Sequence, residues 1–455
     1  MMKSTADDER ALVKRSELSQ LFHQSEKPRE AFRIGGEAEK IGVHAPGGTP
    51  LAYEGSKGVE RLFSYLVSER GWHPERETES GPIIALTRGA ASITLEPGAQ
   101  FELSGAPHED VHAVDREMRE HLVELQEVSR EIGLTWLGVG FHPIATQADL
   151  PWVPKRRYSV MKRYLPERGA RGLDMMRRTA TVQANFDYSS EADAMKKVVV
   201  LSKLAPIIHA MTANSPFYEG RVSERKSERG DVWLHMDPSR SGLVPAVAGK
   251  KNPTYEDYVE WALDAGMFLF RRGDTFVLNT GQTFRDFLAN GFEGHRATFS
   301  DWQLHVNTLF PEARLKRTIE MRACDMLPER LLGSVPALLT GIVYDETSLD
   351  LAAELAETLS VADLEAARPS LVTRGLRANV GSTSAQSLAL RVLEIAEAGL
   401  RRRAKTDASG RDETVFLAPL AEIVQRGECP ADELTRGLSP GARVPADDLI
   451  RRTHI

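Results

Sequence analysis

Five glutamates lie in short segments whose side chains alternate between polar and apolar. Glu37 and Glu39 fall in FRIGGEAEKIGV (32–43), Glu96 and Glu102 in ITLEPGAQFELSG (93–105), and Glu320 in KRTIEMRAC (316–324). A further segment, TATVQANFDY (179–188), carries Thr181, Gln183 and Asn185 with the same spacing. Residues two apart on a strand share a face, so each segment sets its acids and amides on one side and Ile, Leu, Val, Phe or Ala on the other. An antiparallel sheet with one wet face produces the same alternation, and each strand alone is explained that way. The composition of the polar side argues for more, because Glu and Gln are weak strand formers and clustered like charges repel. Hard divalent cations, Mg²⁺ or Mn²⁺, would relieve that repulsion and leave open positions for water and substrate phosphates. With Gln183 and Asn185 as neutral partners and Arg322 as a fixed guanidinium, such a face suits phosphoryl transfer. Pro97-Gly98 reads as a bulge or kink within one strand, re-aiming Glu96 relative to Glu102.

Other chemistries lack their signatures. The chain has no G-x-x-x-x-G-K-[ST] and no G-x-G-x-x-G, so neither a P-loop nor a Rossmann nucleotide site is expected. HEDVH (108–112) matches H-E-x-x-H, the spacing of a helical zinc site with a glutamate base. Pro107 suits a helix start, but the following AVDREMREH is polar and nothing downstream marks a third ligand. The segment therefore reads first as an exposed helix start and only second as a zinc hydrolase.

With 58 basic and 65 acidic residues the net charge is −7, and no basic run offers a footprint for nucleic acid. No stretch approaches the roughly 20 apolar residues needed to span a bilayer. Cys324 and Cys429 are the only cysteines, too few for a disulfide framework, and a cytoplasmic protein is expected. The elements that must position the acids follow from periodicity. Residues 31 to about 345 interleave strand and helix patterns, an α+β arrangement. AQSLALRVLEIAEAGLRRRA places Leu388, Val392, Ile395 and Gly399 on one helical face. The reading is a catalytic α+β domain over 1–345 and a helical extension over 346–455 packed on it, with the polar 404–413 as a mobile loop.

These segments, together with RGLDMMRRTATVQANFDYSSEAD, MTANSPF, HVNTLFPEARLKRTIEMRACD and GIVYDETSL, resemble glutamate-cysteine ligases of the plant and proteobacterial type over nearly the whole chain. The resemblance implies a curved, mainly antiparallel, glutamine-synthetase-like sheet backed by helices. It implies ATP-dependent phosphorylation of the L-glutamate γ-carboxylate and attack by the L-cysteine amine, in a monomer or homodimer. Glu37, Glu39, Glu96, Glu102 and Glu320 become the metal ligands, with Gln183 beside them. Arg322 and Arg178 become stabilisers of the phosphoryl group. Arg240, in DPSRSG, becomes a substrate-carboxylate partner, with Thr181 and Asn185 also at the substrate; the other reading of Arg178 and Arg240 is a surface charge with a solvated head. Ala180 stands where plant members carry a cysteine, so thiol switching at that strand is not expected. A related carboxylate-amine ligase with another acceptor, or a non-catalytic homologue, are the rival readings.

Overall fold

A computed structural model describes residues 10–455 apart from residues 13 and 274. The acid-bearing segments join one ten-stranded sheet. In chain order its strands are β1 (Ile34–His44), β2 (Thr49–Pro50), β3 (His73–Arg76), β4 (Ile83–Arg88), β5 (Ala91–Leu95), β6 (Phe101–Ser104), β7 (Leu134–Leu137), β8 (Val182–Phe186), β9 (Ala313–Leu315) and β10 (Ile319–Met321). Spatially they run β9-β10-β8-β1-β6-β5-β4-β3, with β2 and β7 on β1 as well. Every pairing in this sheet is antiparallel. The long β1 is the spine: its first half pairs with β6 and β8, its second half with β7 and β2.

One face of this sheet is dry. Ile34, Ala38, Ile93, Leu95, Phe101, Leu103, Val182, Ala184, Phe186, Ile319 and Met321 are all buried. Helices α1 (Val111–Ile132), α2 (Glu191–Thr212) and α3 (Ser334–Val343) pack against the strands, and α4 (Ala385–Arg403) packs on α3. Leu388, Val392, Ile395 and Gly399 are buried along α4. A Cβ at Gly399 would lie 1.9 Å from the Gly341 carbonyl oxygen, so these two helices cross at backbone contact and only a residue without a side chain fits there. A continuous set of buried apolar residues runs from Leu12 to Ile450, and the last residue's amide returns to the Trp136 carbonyl of β7. The 404–413 segment is a tied turn: Asp407 accepts from the amides of Ser409 and Arg411 and from the Arg411 guanidinium.

ITLEPGAQFELSG is not one kinked strand. It is a hairpin, β5 and β6, joined by the three-residue loop Pro97–Gly98–Ala99, with Leu95 opposite Phe101. The Glu96 amide donates to the Gln100 carbonyl and the Ala99 amide to the Glu96 carbonyl, both at 3.0 Å, and Ala99 takes a left-handed φ of 67°. This is the arrangement of a turn followed by a left-handed residue that closes three-residue hairpins. Gln100 ties the loop to what lies beneath it: its amide nitrogen donates to the carbonyls of Met176 and Thr179, and its oxygen accepts from the Gly98 amide.

The loop sits so close to Arg177 that a Cβ on Gly98 would lie 2.3 Å from the Arg177 carbonyl oxygen. Gly98→Ala is expected to destabilise the fold by about 2 kcal/mol, as overpacking against backbone does. Urea unfolding of the two proteins measures this, and an unchanged midpoint would show that the loop can move away.

Candidate active site

Strand register builds the polar face. Glu39 lies directly opposite Glu102, and Glu102 opposite Thr94. Glu37 is opposite Gln183, and Asn185 is opposite Glu320. Because the hairpin keeps residues 94 and 96 on one side, Glu96 is the diagonal neighbour of Glu102. Neutral partners hold these acids in place. The Thr181 amide donates to Glu39 at 3.0 Å, the Asn185 amide nitrogen to Glu37 at 2.7 Å, and the Thr94 hydroxyl to Glu102.

The negative charge of this group is under-compensated. Burial, then the nearby Glu320 and Glu102, push the Glu37 carboxyl up to about 7. Burial together with Glu102 and Glu96 raises Glu39 well above the usual carboxylate range, and burial with Glu96 raises Glu102. Carboxyl groups held this way prefer a proton, or a cation, to standing ionised and alone.

Glu320 behaves in the opposite way. It is fully buried, and Arg314 grips both its oxygens at 2.7 and 2.8 Å. Lys316 and Arg322 also pair with it. Although burial alone would raise it, these three cations hold Glu320 well below the ordinary carboxylate range. Its oxygens are shared among these cations, which it anchors. Arg322 in turn donates to Gln183 at 3.2 Å, while its buried Nε has no partner among the described residues. That leaves part of a rigidly held guanidinium free for an anion on the face.

Three expected substrate contacts are placed differently. The Thr181 hydroxyl is spent on the Cys324 carbonyl at 2.5 Å, and Asn185 bridges Glu37 and Thr318, so both position other groups. Arg240 is completely buried: it pairs with Asp237 at 2.8 Å, donates to the Gly266 and Thr308 carbonyls, and stacks on Phe268. Neither a solvated head nor a substrate partner describes it. Arg178 is also buried, at 1% exposure, against the rings of Phe141 and Tyr218 and paired with Glu219 and Asp174. None of the described contacts joins it to the glutamates, although its Nε and Nη2 are unpartnered.

Cations that sequence reading missed complete the face. Lys155, buried, donates to the Leu95 carbonyl at 2.9 Å, just before Glu96. Burial, then Arg157, lower its ammonium to about 7, against the pull of Glu96 and Glu102. Arg157 stacks over Tyr158. Arg229, buried, donates to the carbonyls of Arg322 and Ala323 and acts on Glu39 across the sheet. Their only trace in the sequence is the PKRR run at 154–157 and an isolated ERG, because their role depends on which strand they approach.

HEDVH is not a zinc site. α1 begins at Val111 with Asp110 as its cap, so His108 precedes the helix and pairs with Glu117. His112 is buried against Phe416 rather than exposed. Among the described residues no three His, Cys, Asp or Glu side chains are gathered to clasp one ion. A fully protein-built cage is therefore not present for magnesium either. The donor chemistry nonetheless fits Mg²⁺ or Mn²⁺ of the kind bound by a few carboxylates and completed by substrate phosphates. The carboxylates that would bind it, one or two to an ion, are those of Glu37, Glu39, Glu96 and Glu102, with Glu320 already paired to cations.

Two outcomes follow from these charges. Glu320→Gln leaves the buried Arg314 and the partly buried Lys316 and Arg322 around a neutral amide and is expected to cost about 3 kcal/mol; chemical denaturation measures it, and a loss below about 1 kcal/mol would mean that the cluster is solvent-screened. Between about pH 7 and its ordinary 10.5, Lys155 binds fewer protons folded than unfolded, so its contribution to stability rises with pH. The stability of the wild type relative to Lys155→Met should therefore climb across that window, by at most about 1.4 kcal/mol per pH unit. A flat difference would show that Lys155 stays charged in the fold.

The family model for glutamate-cysteine ligase family 2 (GCS2) matches residues 33–450. The chloroplastic glutamate-cysteine ligase of Medicago truncatula is 39% identical over 411 residues, covering 90% of this chain and 78% of that one. The chloroplastic enzyme of Arabidopsis thaliana is 38% identical with 90% and 76% covered. In fold, the chain is similar to the glutamate-cysteine ligase of Francisella tularensis, crystallised with AMP, with a TM-score of 0.53 at 12% identity, covering 93% of this chain and 87% of that one. These names correct one expectation: relatives of this kind work in chloroplasts, so few cysteines and the lack of a membrane-length apolar stretch do not make the chain cytoplasmic. A match over most of the length, joined to a sheet face of clustered glutamates, places this chain in glutamate-cysteine ligase family 2.

Proposed function

We propose that the glutamate face joins the γ-carboxylate of L-glutamate to the amine of L-cysteine at the expense of ATP, giving γ-glutamylcysteine in the first step of glutathione biosynthesis. The observation that carries the reading is the register of Glu39 against Glu102, with Glu37 and Glu96 adjoining, all on one face and short of compensating charge. A resting carboxylate is too poor an electrophile for an amine. Phosphorylation by ATP converts one γ-oxygen into a leaving group; the amine then adds to the acyl carbon and phosphate departs. Mg²⁺, or Mn²⁺, when bound offsets charge on the nucleotide and the acyl phosphate.

The chain's own residues supply position and charge. Glu320 and Gln183 fix the Arg322 guanidinium beside the acids, where it can stabilise charge on the moving phosphoryl group without reorganising. Thr181, Asn185 and Thr94 fix the orientation of Glu39, Glu37 and Glu102. Arg178, with two unpartnered nitrogens, is the second guanidinium available to an anion, reached from the end of β8. All of these residues precede residue 345; in this reading the later helices brace the sheet from its dry side.

The test is ADP release with L-glutamate, with and without L-cysteine. Rapid cysteine-dependent turnover is expected, abolished by chelation and restored by Mg²⁺. Glu39→Gln and Glu96→Gln should each lower it at least a hundredfold with an unchanged fold by circular dichroism. A variant that keeps most of its activity in Mg²⁺ removes that carboxylate from the ligand set, and strong turnover with another amine but none with cysteine would assign a different acceptor.

A further inference from the structure

A second cleft lies away from the glutamate face, where the start of β1 meets the ends of α3 and α4. It encloses about 270 Å³, near the lower end of small-ligand pockets, which begin at about 300 Å³. Its floor is aromatic: the rings of Phe32 and Tyr344 lie 5.0 Å apart at 31°. The buried Lys197 ammonium stands over both, 4.4 Å from Phe32 and 5.2 Å from Tyr344. Arg29, Arg33, Arg403 and Lys405 form the wall.

Most of the acids in this cleft are already engaged. Glu346 pairs with Arg29, Glu109 with Arg33, and Asp193 with Lys197; Glu30 is left on the exposed rim. On the basic side, Lys405 makes no hydrogen bond or ion pair among the described residues. Arg403 uses its Nε on Glu413 and lies 5.6 Å from the Tyr344 ring, while its buried Nη2 has no partner among them. An unpartnered, buried guanidinium nitrogen beside an unpaired lysine and over an aromatic floor is an arrangement that lacks an anion.

We propose that this cleft binds a small anion bearing one carboxylate or phosphate group attached to a flat or apolar body. The anionic group would sit between Arg403 and Lys405, and the body on Phe32 and Tyr344. The site reaches the catalytic sheet through Lys197, whose ammonium donates to the Asp187 carbonyl at 3.0 Å, and through Tyr344. The Tyr344 hydroxyl donates to the Arg33 carbonyl, just before β1, and accepts from the Asp187 amide, just after β8, both at 2.6 Å. It thus clamps the two strands that carry Glu37, Glu39, Gln183 and Asn185, and occupancy of the cleft would tighten that clamp. The inference does not rest on the reaction proposed above, because its readout is binding.

Calorimetric titrations of the full chain with phenyl phosphate and with benzoate test it, run at low ionic strength in a buffer free of other phosphates and carboxylates. Saturable binding by at least one probe is expected, at least tenfold weaker in Lys405→Glu and in Arg403→Gln, and the preferred probe identifies the anionic group. Lys405 is exposed, so its variant remains informative if loss of the Arg403 pair with Glu413 disturbs the fold. No saturation by either probe at millimolar concentration, or equal affinity in the wild type and Lys405→Glu, would overturn the proposal.

Discussion

Glu39 and Glu102 face each other across β1 and β6, and much of the site is organised around that repulsion. Two carboxylates in direct register, with a third diagonal to one of them, are an arrangement a sheet adopts only where something else holds the strands together. The dry face does so. Ala38, Leu103 and Phe101 pack on the other side of the same backbones, so burial of apolar area, at about 25 cal/mol per Å², keeps the acids together. The glutamate cluster is thus a strained arrangement stabilised from behind, and its strain is what gives a cation or a proton something to relieve.

The cations around the cluster divide into two kinds. Arg314 and Lys316 are locked on Glu320, which makes Arg322 a rigid post rather than a swinging arm. Lys155 and Arg229 are held by backbone carbonyls, Arg229 also by a long 3.9 Å pair with Asp325, so their charge acts on Glu102 and Glu39 without pairing to them directly. A lysine whose ammonium sits near 7 can lose its proton at little cost. Such a group lowers the negative potential of an empty face while leaving the carboxylate oxygens open. Direct ion pairs would have occupied the same oxygens that a ligand needs.

What was legible in the sequence was sidedness. Alternation placed Glu37, Glu39, Glu96, Glu102, Gln183 and Asn185 on one face because the period of a strand is fixed by covalent geometry. The hairpin at Pro97–Ala99 was misread as a bulge because the parity of residues 96 and 102 is the same whether the strand continues or turns back. Only the pairing of Leu95 with Phe101 separates the two cases, and pairing is non-local. The ion pairs of Glu320 were missed for the same kind of reason. Nothing in RTIEMR says that Arg314, six residues earlier, folds back through the short β9–β10 hairpin to bind both its oxygens. Arg240 failed differently, since a loop sequence gives no sign that Gly266, Thr308 and Phe268 will close over it.

The contrast between the two arginine-bearing regions clarifies what a charged residue does in this fold. Arg240 has its charge matched by Asp237 and its remaining donors consumed by carbonyls, so removing it would leave holes in the backbone's own hydrogen bonding. Arg322 and Arg178 retain buried nitrogens without partners, a state that costs free energy unless a ligand or water completes it. Burial alone therefore does not separate structural from functional arginines, and neither does unfinished hydrogen bonding alone, since Arg314 also keeps a buried unpartnered Nε while both its Nη atoms are spent on Glu320 and backbone carbonyls. What distinguishes Arg322 is the combination: a guanidinium fixed by Glu320 and Gln183 beside the glutamates, with a donor left to be completed by something other than the chain itself.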